Sequence, residues 1–76
     1  MNRTRRAQLD KIRIALEDQK AELEAVTDDE TAALDNMPDS IRDSAAGEAM
    51  EAALDLMAEA ADELAHTLDN IREAAG

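Results

Sequence analysis

Cysteine is absent from this chain, so neither a disulfide framework nor a thiolate metal site can stabilise it. Phenylalanine, tyrosine and tryptophan are absent too, which removes the side chains that fill most cores. There is one proline, there are two glycines and there is one histidine, His66. β-branched residues are few, and no stretch alternates apolar and polar with a period of two, so the strand pattern is missing. No apolar run approaches the ~18 residues of a membrane span. The basic start of the chain is not followed by the apolar segment of a secretory signal. A cytoplasmic location, away from any membrane, is the expectation.

What remains is helix-forming material. Alanine, leucine, glutamate, methionine, lysine and arginine, the best helix formers, make up 46 of the 76 residues. Half of the 34 hydrophobic residues are alanine, so each buries little. A single domain of 76 residues built from such residues has a thin core, and chains of this size normally need a further staple. With disulfides excluded, self-association is the expected one. The formal net charge is −11, and it is unevenly placed. Residues 1–13 carry Arg3, Arg5, Arg6, Lys11 and Arg13 against Asp10, a local +4. The remainder carries 3 basic and 18 acidic residues. Direct binding to nucleic acid is not expected, because that affinity rests on neutralising phosphates.

Two periodic segments flank one break. The first runs from about Asn2 to Asp35, with Leu9, Ile12, Leu16, Gln19, Leu23, Val26, Glu30 and Ala33 at alternating spacings of three and four, a heptad seam. Gln19 and Glu30 interrupt it. Thr27-Asp28-Asp29-Glu30 also has the form of a capping box, so a kink or restart near Thr27 is the alternative to one continuous helix. The linker, about residues 36–43, is built around Met37-Pro38, since proline disfavours helix at the residue before it. Asp39 or Ser40 is a candidate cap for a short turn through Ile41 and Arg42, with Ser44 as a second cap candidate. Met37 and Ile41 are expected to plug the hairpin end. Gly47 falls in a first helical turn, where glycine costs little. The second helix runs from about Ser44 to Ala74. Met50, Leu54, Met57, Ala61, Leu64, Leu68, Ile71 and Ala75 recur without polar interruption, flanked by Ala53, Ala58, Ala60, Ala65 and Ala74. So broad a strip suits a bundle core. Glu48, Asp55, Glu59, Asp62, Asp69 and Glu73 lie on the opposite side and form a candidate acidic partner face.

The expected architecture is therefore all-α: an antiparallel two-helix hairpin, coiled-coil-like, assembling into a four-helix-bundle homodimer or a higher homo-oligomer. Leu9, Ile12, Leu16, Leu23 and Val26 from the first helix, with Met50, Leu54, Met57, Ala61, Leu64, Leu68 and Ile71 from the second, are the expected interface. Antiparallel folding is expected to set the basic start of the chain beside Asp69 and Glu73.

Chemistry has few footholds. Glu63 and His66 share the Glu-x-x-His spacing of di-iron bundles, but Leu64 on the seam turns both toward solvent. Glu48 with Glu51, and Glu59 with Asp62, have the spacing of Mg²⁺-holding carboxylate pairs, yet Mg²⁺ needs converging oxygens and these face outward on one helix. His66 has no nucleophile beside it, and there is no glycine-rich phosphate loop. No catalytic residue, metal site or cofactor is expected.

Asn36-Met37-Pro38-Asp39-Ser40, then Gly47-Glu48-Ala49-Met50-Glu51-Ala52-Ala53, then Asp69-Asn70-Ile71-Arg72-Glu73-Ala74 together resemble a group of small helical proteins from phages, prophages and other bacterial mobile elements. Their pattern reads N-x-P-x-S, a spacer, G-E-A-M-E-x-A, and an ending D-N-I-x-E-A. The resemblance spans about residues 34–75, with more alanine and methionine here than in the group. It implies a mobile-element origin and transfers no site residue, because the group has no assigned activity. The functional expectation is a non-enzymatic interaction module that binds a partner, such as a host protein. The alternative is an inhibitor of host defence, acting as an acidic nucleic-acid mimic or as a nucleotide-sequestering protein.

Overall fold

Helix starts where a backbone donor finds a side-chain acceptor, and Asn2 provides one: its Oδ1 accepts the Arg5 N–H at 2.8 Å. From there a computed structural model, describing residues 1–76, carries α1 without interruption through Arg3–Asp35. Thr27 does not restart it. The Thr27 hydroxyl donates to the Leu23 carbonyl at 2.7 Å, and Thr31 donates to the Thr27 carbonyl at 2.8 Å. Both hydroxyls bond backward along the helix instead of capping a new one.

Pro38 then ends the helical run, and a four-residue turn of helix, α2 (Asp39–Arg42), follows it before α3 (Ala45–Ala75). Of the cap candidates, Ser44 takes the N-cap position of α3, its carbonyl accepting from the Glu48 N–H at 3.0 Å, but no candidate caps through its side chain. No side chain caps α2. Ser44 stands at the start of α3 with an extended backbone, but its hydroxyl donates to the Ile41 carbonyl behind it. The plug at this end is also different from the expected pair. Met37 is half-buried, while Ile41 remains 45% exposed. The closing group is Arg42, whose Nη2 donates to the carbonyls of Leu34 at 3.2 Å and Asp35 at 2.8 Å. Both are end-of-helix carbonyls, Leu34 also accepting from the Met37 N–H at 3.1 Å, and a cation there opposes the negative end of the helix dipole.

Gly47 is the second device at this corner. It is buried in the first turn of α3, and a Cβ built on it would stand 2.0 Å from the Arg42 carbonyl oxygen and 2.7 Å from the Arg42 Cα. The obstacle is backbone, which cannot swing aside. This glycine is therefore a requirement of the fold, and not the inexpensive residue that its position suggests.

α1 and α3 lie antiparallel against each other as an extended all-helical hairpin, 58 × 15 × 12 Å. The radius of gyration is 17.3 Å, against about 11 Å for a compact domain of this length. The core is correspondingly thin. Leu34 and Leu68 are the buried apolar residues, and no side chain is completely enclosed. Met50, Leu54, Met57, Ala61, Leu64, Ile71 and Ala75 are half-buried along α3.

On α1 the face toward α3 is displaced from the seam read above. Leu9, Leu16 and Leu23 are half-buried, and so are Arg13, Lys20, Thr27 and Glu30, with Leu34 buried. Ile12 and Val26 are 50% and 55% exposed. Side-chain exposure of only 27% at Arg13 and 26% at Lys20 shows how the exchange works. Their aliphatic stems cover the seam while their charged ends reach out to acids at its edge.

Candidate functional site

The hairpin has one shallow cleft, and the surfaces beside the seam hold the candidate sites. The two shoulders of the hairpin are chemically unlike. One carries Asp10, Glu17 and Glu24 from α1, and Glu51, Ala58, Ala65 and Arg72 from α3. It is held by a clamp: Glu17 Oε1 accepts from Arg72 Nη2 across the interface at 2.8 Å and from Arg13 Nη1 on its own helix at 2.9 Å. Arg72 also meets Asp69 at 3.1 Å, Arg13 meets Asp10 at 3.5 Å, and Lys20 pairs with Glu24.

The expected pairing of the basic start of α1 with Asp69 and Glu73 is not formed. Arg3, Arg5, Arg6 and Lys11 make no ion pair, and the one ion pair between the helices has the opposite polarity, an acid on α1 and a base on α3. The clamp perturbs its members. The Arg72 guanidinium first, and that of Arg13 second, hold the Glu17 carboxyl below the usual carboxylate range. Hydrogen bonding to Glu17 raises Arg13 above its ordinary value.

A lowered folded-state pKa means that the ionised form favours the fold. The contribution is complete above the unfolded-state pKa and is lost as pH falls through the lowered one. A Glu17→Gln variant is thus expected to melt below the wild type at neutral pH, with the gap vanishing in strong acid. Circular-dichroism melts at both pH values check this. A gap that persists unchanged in acid would assign the effect to packing instead of charge.

A shallow cleft of about 240 Å³ opens on this shoulder, lined by Glu17, Lys20, Ala65, Leu68, Asp69 and Arg72. Its charges are already paired, Arg72 with Glu17 and Asp69 inside the cleft and Lys20 with Glu24 beside it, which leaves little for a ligand to neutralise.

The other shoulder carries no carboxylate along its central rows. On α1 the row every seventh residue is Arg5, Ile12, Gln19, Val26, Ala33, with Arg5 in the first turn of the helix. On α3 it is Ala46, Ala53, Ala60, Thr67, Ala74. The Glu17–Arg72 bond decides that these two rows share a side, because each lies on the opposite edge of its helix from the row that carries the clamp. Ala46, Ala53, Thr67 and Ala74 are exposed and Ala60 is half-buried. Leu56, 66% exposed, lies just outside the α3 row.

The outer side of α3 is acidic. Glu48, Asp55, Glu59, Asp62, Asp69 and Glu73 are all exposed on it, and among them Asp69 alone has an ion-pair partner. Glu51, Glu63 and His66 are exposed as well, and no three metal-type ligands converge anywhere in the chain. No helix is long and apolar enough to cross a membrane.

Of the residues that organise the hairpin, reasoning from sequence missed Arg13, Lys20, Leu34, Arg42 and Gly47. A signal existed for the first three. Leu9, Arg13, Leu16, Lys20, Leu23, Thr27, Glu30 and Leu34 have the same alternation of four and three as the seam containing Ile12 and Val26. Comparison with known proteins adds nothing to these surfaces: no protein family, curated protein or solved structure matches the chain.

Proposed function

We propose that the chain is a non-enzymatic interaction module whose working form is a homo-oligomer, in the first instance a four-helix-bundle dimer, acting in the cytoplasm by binding a protein partner. The observation that carries this reading is the deficit of burial. The hairpin exposes 5501 Å², whereas a compact monomer of its 8.2 kDa mass exposes about 4,500 Å². The surplus comes from a rod only two helices thick, with Ile12, Ile14, Val26 and Leu56 half or more exposed. A chain without disulfides or aromatic residues has few other ways to remove that surface from water. The resemblance of residues 34–75 to small mobile-element proteins supports a phage-type accessory role, in which the partner is a host protein.

Sedimentation equilibrium at micromolar concentration tests the assembly, with a mass that is a multiple of 8.2 kDa as the expected result. A cooperatively melting single copy at that concentration would overturn it.

A second reading, mimicry of nucleic acid, is favoured by the outer face of α3. Its carboxylates from Glu48 to Glu73 are exposed along about 37 Å of helix. A rigid row of negative charge is complementary to a basic groove. This reading predicts capture of a DNA-binding protein, with affinity falling steeply as salt is raised. Binding indifferent to salt would exclude it and leave the interaction-module reading in place.

A further inference from the structure

Two copies of a chain carrying −11 repel each other wherever their acidic surfaces meet. The outer side of α3 is therefore unsuited to self-association. The clamped shoulder is unsuited as well, since its basic groups are already committed to Glu17, Asp10, Asp69 and Glu24. The other shoulder is a long surface whose two central rows carry no carboxylate.

We propose that this shoulder is the surface on which a second copy of the chain docks. The inference rests on the homo-oligomer reading above and goes beyond it by stating which face meets which. Three observations select a second copy as the occupant. The surplus of about 1,000 Å² over a compact monomer matches the roughly 800 Å² that each partner buries in a standard interface. The lack of carboxylates in the two central rows keeps acidic groups out of the middle of the contact between two strongly acidic chains. Finally, the shoulder is self-complementary. Its α1 row presents the branched side chains of Ile12 and Val26, while its α3 row presents the alanines Ala53 and Ala60. A two-fold axis parallel to the helices lays the branched row of each copy on the alanine row of the other, an isologous contact. Small residues on one side permit close approach of backbones, and branched residues on the other fill the space.

In the resulting four-helix bundle, Leu16, Leu23, Met57 and Leu64 become interior. The two clamped shoulders and both acidic faces of α3 remain outside, free to meet other partners.

The test uses a matched pair of substitutions on α3. Ala53 and Ala58 are both exposed in the hairpin, on opposite shoulders. Ala53→Glu places a carboxylate in the proposed contact, once per copy, and is expected to weaken association about a hundredfold or more, with loss of the oligomer at micromolar concentration. Val26→Glu is expected to do the same from α1. Ala58→Glu adds the same charge and the same helix propensity and is expected to leave the mass unchanged. An oligomer that survives Ala53→Glu, or that is broken by Ala58→Glu, overturns the assignment of the shoulder while leaving the homo-oligomer reading intact. A wild-type monomer at that concentration overturns both.

Cysteine labelling decides the matter if a glutamate variant unfolds, because the chain has no cysteine of its own. A thiol at Ala53→Cys is expected to be protected from a bulky maleimide at high protein concentration and to react on dilution. A thiol at Ala58→Cys is expected to react at every concentration. Equal reactivity at the two positions in the oligomer would rule the shoulder out.

Discussion

Gly47→Ala is expected to destabilise the protein severely, by about 3 kcal/mol or more, a fall in melting temperature of roughly 15 °C. The sign is what makes the result informative. In an ordinary helix interior, glycine to alanine stabilises by about 1 kcal/mol, because alanine loses less backbone entropy on folding. At position 47 that gain is overwhelmed. The new methyl would lie 2.0 Å from the Arg42 carbonyl oxygen and 2.5 Å from its carbon, well inside van der Waals contact. Relief requires α2 to lift from α3. Lifting α2 withdraws the Arg42 guanidinium from the Leu34 and Asp35 carbonyls, so the end of α1 loses its cap in the same event. Against a total stability on the order of 4–11 kcal/mol for a domain of this size, the loss is a large fraction. Thermal melts by circular dichroism measure it, with Ala46→Gly as the neighbouring control that reports helix propensity alone. A Gly47→Ala variant as stable as the wild type would show that the corner is looser than the distances describe.

Leu68→Asp is expected to be the most damaging single substitution along the seam. Leu68 is 3% exposed, the lowest value of any apolar residue in the chain. Removing it forfeits the burial of a leucine, about 2–3 kcal/mol. A carboxylate in its place adds the cost of burying a charge without a partner, and the basic groups on the cleft rim, Lys20 and Arg72, are already paired with Glu24 and Glu17. The variant is expected to be largely unfolded at 25 °C by far-ultraviolet circular dichroism. Leu56→Asp is the informative companion. It makes the same chemical change on the same helix at a side chain that is 66% exposed, and it is expected to retain the wild-type helicity. If both variants folded equally well, the distinction between the two leucines would be wrong.

The contrast between α3 and α1 shows how far periodicity alone reaches. On α3 the strip through Met50, Leu54, Met57, Ala61, Leu64, Leu68, Ile71 and Ala75 is the stronger of two acid-free choices, since the row that would replace Leu54, Ala61, Leu68 and Ala75 holds only the small Ala53, Ala60, Thr67 and Ala74. Each of its members is buried or half-buried. On α1, Leu9, Leu16 and Leu23 belong equally to two stripes that share one edge. Ile12 and Val26 complete one, and Arg13, Lys20, Thr27 and Leu34 complete the other. Hydropathy favours the first. The fold uses the second toward α3, because long cationic side chains can lie along the seam and reach acids at its margin, leaving Ile12 and Val26 on the shoulder away from the Glu17–Arg72 clamp.

Local chemistry in this sequence determined that the chain is helical, that helix stops at Pro38, and that one broad apolar strip runs along the last thirty residues. These features depend on residues within a few turns of one another, where propensity and spacing act directly. The tertiary structure alone decided which edge of α1 meets α3, that Glu17 and Arg72 are bonded across 55 positions of chain, that Arg42 caps a helix which ended seven residues earlier, and that position 47 admits no side chain. Each of these depends on how closely two separate segments approach. That distance is set by the packing of the whole hairpin, and no window of sequence contains it.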